Sequence, residues 1–168
     1  ERKTTETAIL VELQLDGGEI ALDTGIGFFD HMLHAFAFYG GLGLTVQAKG
    51  DLQVDGHHTV EDVGIVLGEA LRGAFGEKTG IRRFASAYVP MDEALLFAAL
   101  DVSGRPYLVF DAPMRAFAMH AALTLHMKAF YGANAHHITE GLFKALGLAL
   151  KDAKRVEGGA VTSTKGVL

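Results

Sequence analysis

The chain repeats itself, and this limits its possible folds more than any other feature. Residues 57–71, HHTVEDVGIVLGEAL, align with residues 136–150, HHITEGLFKALGLAL, at an offset of 79 with seven identities in fifteen. Residues 34–46, HAFAFYGGLGLTV, align with residues 115–127, RAFAMHAALTLHM, at an offset of 81. Two blocks in the same order, at nearly one offset, mark a tandem duplication. Half of 168 residues is 84, so the repeats cover about 1–84 and 85–168 of a single domain, 1–168. The small difference in offset fits a shorter turn before the second histidine pair.

Each half carries a similar string of patterns. TAILVELQL (7–15) partly alternates, as a half-buried strand does, and GGE after it makes a turn. GEIALDTG gives a second strand. FFDHMLHAFAFYG has apolar residues at helical spacing and stops at Gly40–Gly41. LGLTVQAKGD predicts a strand, and VEDVGIVLGEALRGAFG a long helix ending near Gly76. The second half predicts strands in SAYVPMDEALLFAALDVSG and RPYLVFDAP, a helix over 115–122, a strand over 123–130 and a helix over 137–153. The tail VEGGAVTSTKGVL reads as loop. The expected fold is α+β: an internally duplicated half-domain of strands plus two helices, with the helices packed between two antiparallel sheets about a pseudo-two-fold axis.

Composition removes several functions. A net charge of −5 gives no basic field for nucleic acid. With no cysteine there are neither disulfides nor thiolate metal sites. Apolar runs such as Ala94–Leu100 are too short to span a bilayer. The opening ERKTTETAIL has no signal-peptide core, so the cytoplasm is the expected location.

Both repeats place His-His-x-x-Glu at the head of an apolar helix. On a helix, residues i and i+1 point about 100° apart, whereas i and i+4 share a face. His57 with Glu61 can therefore grip one metal ion and leave His58 for another. His136 with Glu140 leaves His137 in the same way. The pair suggests a dinuclear arrangement, each ion taking a His/Glu pair from one motif and a single His from the other, within one subunit or across a subunit contact. Imidazoles and carboxylates without thiolate suit Mn, Fe, Co or Zn at a catalytic site with open positions. His31 and His34 precede the first motif. His31 stands 26 residues before His57, so helix and motif can converge, and Asp30 is placed to orient a histidine from behind. The repeat predicts a counterpart of His31 at position 112, but 111–114 reads DAPM. Either the second site has lost a ligand, or residues are absent between about Met114 and Arg115. His120 and His126 are the possible substitutes.

Taken together, TGIGFFDHMLH, GDLQVDGHHTVEDVGIVLGEAL, PMDEAL, DVSGRPYLVF, HHITEGLFKALGLAL and STKGVL resemble the imidazoleglycerol-phosphate dehydratases of histidine biosynthesis, over nearly the whole chain. The resemblance implies a hydro-lyase that converts D-erythro-imidazoleglycerol phosphate into imidazole acetol phosphate. It implies two manganese ions per site, and a cage of twenty-four subunits with active sites at subunit contacts. The implied metal ligands are His31, His57, His58, Glu61, His136, His137 and Glu140. Glu6, in TTETAI, and the metal-site glutamates Glu61 and Glu140 are the implied acid–base candidates. Arg83, Arg105, Ser163 and Lys165 match phosphate-contacting positions. The chain departs from the family around 111–118, where the family carries a longer loop and a helix start with another metal-binding histidine.

The implied chemistry makes physical sense. The proton to be removed is not acidic. Metals holding the ring nitrogens would favour an imidazolate, and loss of hydroxide would then give a diazafulvene-like species. A base and an acid are still needed. The phosphate needs cationic or N–H partners, and Arg105 between Gly104 and Pro106 is held in a turn. GGAVTSTKG lacks the spacing of a P-loop. Two other classes stand beside the enzyme: a metal-storage or sensing protein without catalysis, and an assembly protein whose histidines only join subunits. The basic residues Arg83, Arg105 and Lys165 favour a phosphorylated small-molecule substrate over both.

Overall fold

The computed structural model describes residues 1–109 and 114–165. The first half contains β1 (Arg2–Lys3), β2 (Thr7–Gln14), β3 (Gly17–Asp23), α1 (Gly27–Gly40), β4 (Leu42–Gly50) and α2 (His57–Phe75). The second contains β5 (Phe84–Met91), β6 (Ala94–Asp101), β7 (Tyr107–Val109), α3 (Met114–His120), β8 (Thr124–Tyr131) and α4 (Ala135–Ala153). The strand orders β1-β2-β4-β3 and β5-β6-β8-β7 match element for element, as a duplicated α+β chain requires. No helix among the described residues is long and apolar enough to cross a membrane.

The sheets are mixed rather than antiparallel. β2 runs antiparallel to β4, and β6 to β8, but β3 is parallel to β4 and β7 to β8. The reason is topological: α1 and α3 lie between those strands in sequence, and a crossover returns the chain in the same direction. SAYVPMDEALLFAALDVSG folds into the β5–β6 hairpin, turning where Asp92 adopts a positive φ of 48°. Both long helices begin before the apolar periodicity does and take their histidine pairs into the first turn. α3 stops at His120, short of the expected 122, and Ala122 has a φ of 53°. Position 112, where the counterpart of His31 is expected, lies outside the described residues.

The strands are buried on one face, with β6 alternating buried and half-buried positions along its length. α2 lies on the first sheet and α4 on the second, while α1 packs on α4 and α3 on α2. The halves therefore exchange contacts: a first-half helix rests on a second-half helix. Two glycines make these crossings close. A Cβ at Gly68 would sit 2.7 Å from the Phe117 carbonyl oxygen, and one at Gly147 would sit 2.6 Å from that of Phe36. Gly68 and Gly147 occupy equivalent positions in the repeat, as do Phe36 and Phe117, so one packing device is used twice. One core cluster, including Phe36, Phe117, Leu67 and Leu146, runs through both halves.

Candidate active site

The second histidine motif is set by the start of α4. The Asn134 side chain accepts hydrogen bonds from the backbone N–H groups of His136 (2.9 Å) and His137 (3.4 Å), capping the helix. In the first motif, Asp55 accepts from the His57 N–H at 2.8 Å. Adjacent rings diverge in both motifs. The His57 and His58 rings lie at 73° to each other, and those of His136 and His137 at 87°. Residues four apart converge: His57 Nε2 is 3.4 Å from Glu61 Oε2, and His136 Nε2 is 3.0 Å from Glu140 Oε2.

His31 joins the second motif, not the first. Its Nε2 lies 3.3 Å from Glu140 Oε2. The spacing to His57 suggested convergence within the first half, but α1 packs on α4, and tertiary contact decides the matter. Asp30 does not orient a histidine; its carboxylate accepts from the Thr24 N–H (3.0 Å) and hydroxyl (2.7 Å). The His31, His136 and Glu140 ligand atoms all lie within 4.8 Å of one another. Glu140 is buried, and burial alone would raise its carboxyl. Hydrogen bonds from Lys144, His31 and His136 outweigh that and hold it below the ordinary range.

A second group forms at His58, with Glu6 and Asp51. His58 Nδ1 donates to Asp51 at 3.0 Å and lies 3.8 Å from Glu6 Oε2. The hydrogen bond to Asp51 raises the imidazole above its ordinary value. His137 has a similar partner of different origin. Its Nδ1 donates to Glu93, in the β5–β6 turn, at 2.7 Å. That bond, with N–H donation from Asn134 and Ala133, lowers Glu93 to about 2, and it raises His137. His58 and His137 thus each have one ring nitrogen fixed by a carboxylate, the arrangement that orients a metal-binding imidazole. Asp51 and Glu93 escaped sequence reasoning because neither sits at helical spacing from its histidine. Glu93 does lie in the quoted motif PMDEAL, which was the available signal. Among the described residues, the two candidate metal groups do not share a residue within one chain.

The basic residues gather elsewhere. Arg83 is buried and forms a fork with Asp101, Nε to Oδ1 at 2.6 Å and Nη2 to Oδ2 at 3.0 Å. Its Nη1 donates to the Thr162 carbonyl at 2.7 Å, which brings the tail carrying Ser163 and Lys165 to it. Arg105 Nη2 is 3.9 Å from the same Asp101. Among the described residues, no hydrogen bond or ion pair links this group to the histidines. Of the possible substitutes, His120 uses Nδ1 on the Ala116 carbonyl at 2.9 Å within α3, and His126 lies beside Tyr107 on β8. His34 stacks on Phe38.

The fold and the histidine motifs together are those of a hydro-lyase family. The profile of a family described as imidazoleglycerol-phosphate dehydratase matches residues 24–116 and 110–150. The imidazoleglycerol-phosphate dehydratase of Acetivibrio thermocellus is 54% identical over 189 aligned residues, covering 99% of this chain and 96% of that protein. That of Caldanaerobacter subterraneus is 52% identical over 189, with the same coverage of 99% and 96%. The crystal structure of IGPD from Pyrococcus furiosus in complex with (S)-C348 matches with a TM-score of 0.87 at 40% identity, covering 99% of each chain. The chain belongs to the imidazoleglycerol-phosphate dehydratase family, enzymes of histidine biosynthesis. The 189 aligned positions exceed the 168 residues of the chain, and the two matched stretches overlap at 110–116. The relatives therefore carry residues near this point that the chain lacks.

Proposed function

We propose that the enzyme removes water from D-erythro-imidazoleglycerol phosphate to give imidazole acetol phosphate, using two manganese ions at contacts between subunits of a large homo-oligomer in the cytoplasm. The observation that carries this reading is the divergence of paired histidines, each pair splitting between a His/Glu group at i and i+4 and a second imidazole held by a carboxylate. Two imidazoles and a buried carboxylate at His31, His136 and Glu140 suit manganese. His57 with Glu61 offers a second group, and in this reading His58 and His137 complete sites shared with neighbouring subunits of a twenty-four-subunit cage. Exposed aromatic residues on the outer face of the second sheet, Tyr88 and Phe130 stacked at 5.9 Å, supply a surface for such contacts.

When bound, the ions supply Lewis acidity to the substrate's ring nitrogens and hold the ring in place. Glu6, exposed beside His58, is the proposed base for the carbon-bound proton. Glu61 and Glu140 are the further proposed acid–base groups; the departing hydroxyl takes up one proton, balancing the one removed from carbon, so that water leaves and the resulting enol becomes the ketone. The route proposed passes through imidazolate and diazafulvene-like forms of the substrate. Arg83, Arg105, Ser163 and Lys165 take the phosphate; three of the five guanidinium N–H groups of Arg83 are already engaged within the chain, so its part is charge and the placing of the tail.

The test is direct. The assembled protein with manganese and imidazoleglycerol phosphate should yield the ketone, and His58→Ala should abolish turnover. Near-wild-type turnover in that variant would count heavily against the dinuclear site. Measuring particle size with and without a chelator shows whether metal closes the assembly.

A further inference from the structure

We propose that Asp62 is a positioning residue for Glu6, a role that rests on Glu6 being the base. Asp62 lies one helical turn beyond His58 on α2, so both side chains leave the same face. Its carboxylate is buried and receives two partners from the N-terminal segment: Arg2 Nε on Oδ1 at 2.8 Å and the Thr7 hydroxyl on Oδ2. Glu6 lies on the short connection between those two anchors.

The connection is itself closed. The Thr4 hydroxyl accepts from the N–H of Glu6 at 3.1 Å and of Thr7 at 2.9 Å, and the Thr4 N–H donates to the Thr7 carbonyl at 2.9 Å. The flanking strands hold the turn through the pairs Arg2–Ile9, Lys3–Ala8 and Thr7–Gly50, and Asp62 adds the side-chain tie from α2. With it, the exposed Glu6 carboxylate stands 3.8 Å from the His58 ring.

A buried carboxylate persists only where charge and hydrogen bonds compensate its desolvation. Arg2 and Thr7 provide both. The equivalent residue in the second repeat is Gly141, where a Cβ would meet Leu96 at 2.4 Å. The carboxylate therefore belongs to the half that receives the N-terminal segment, and duplication alone does not account for it.

The experiment is a double-substitution cycle on the assembled, manganese-loaded enzyme, using Asp62→Asn, Glu6→Gln and the combination. Displacing a reacting group by about 1 Å costs on the order of 10²-fold in rate. Asp62→Asn is expected to lower kcat by about that factor with KM nearly unchanged, and to cost nothing further in the Glu6→Gln background. Arg2→Ala, which leaves the Thr7 contact in place, should show the same pattern more weakly, and it stands in if Asp62→Asn fails to assemble. Equal losses in both backgrounds would make Asp62 a structural staple and overturn the inference. So would wild-type kcat in Asp62→Asn. Wild-type turnover in Glu6→Gln alone would remove the base itself, and the inference with it, a failure distinguishable from the first two.

Discussion

The two halves share strand order, helix pairing and the His-His-x-x-Glu motif, yet they do not present equal metal groups. In one, α1 delivers His31 to His136 and Glu140. In the other, among the described residues, α3 brings no histidine to His57 and Glu61. α1 has 14 residues and α3 has 7. Twelve residues lead from Ala21, opposite Thr45, to Leu33 in α1; five lead from Val109, opposite His126, to Met114, the equivalent point of α3. Residues 108–114 of the second half include no histidine to stand as a counterpart of His31. A repeat reproduces architecture, but a single shortened connection is enough to make its sites unequal.

Metal titration gives the sharpest test of that inequality. Chelator-stripped protein titrated with manganese in equilibrium dialysis should show a tight event, removed by Glu140→Gln. A second event, weaker by about 10–100-fold or more, should be removed by Glu61→Gln. Two events of equal affinity would break the comparison.

Stability probes the helix crossings. Gly147→Ala forces a methyl into the α1 backbone, and overpacking of this kind costs about 1–3 kcal/mol. Gly68→Ala meets the shorter α3, which can shift more easily. Chemical denaturation should therefore find the Gly147 variant the less stable, and the reverse order would mean that α3 is the more firmly held.

His58 and His137 are held by carboxylates of different origin, one from the β4–α2 connection and one from a hairpin. If the two serve alike, Asp51→Asn and Glu93→Gln should each weaken manganese binding by about tenfold. An effect in one variant alone would separate the halves further.

The smallest effect concerns pH. Glu93 sits at about 2 in the fold, below its ordinary 4.5, so its contribution is present above about 4.5 and lost as pH falls toward 2. His137 is raised, so its share is full below 6.5 and fades as pH climbs above that value. Thermal melting of metal-free protein should fall more steeply on the acid side for wild type than for Glu93→Gln. Parallel curves would show that the hairpin contact adds no stability.

Sequence by itself determined the duplication, the α+β elements and the divergence of each histidine pair. These follow from spacing along one segment, and helical geometry converts spacing into direction without reference to the rest of the chain. It also carried the resemblance that names the family. Only the tertiary structure decided that His31 serves the second motif, that β3 and β7 run parallel to their neighbours, that Asp51 and Glu93 brace the His58 and His137 imidazoles, and that Asp62 ties down the segment bearing Glu6. Each of these depends on which elements pack together across long separations. That choice is made by the burial of whole faces, as at Gly68 and Gly147, and no local pattern records it.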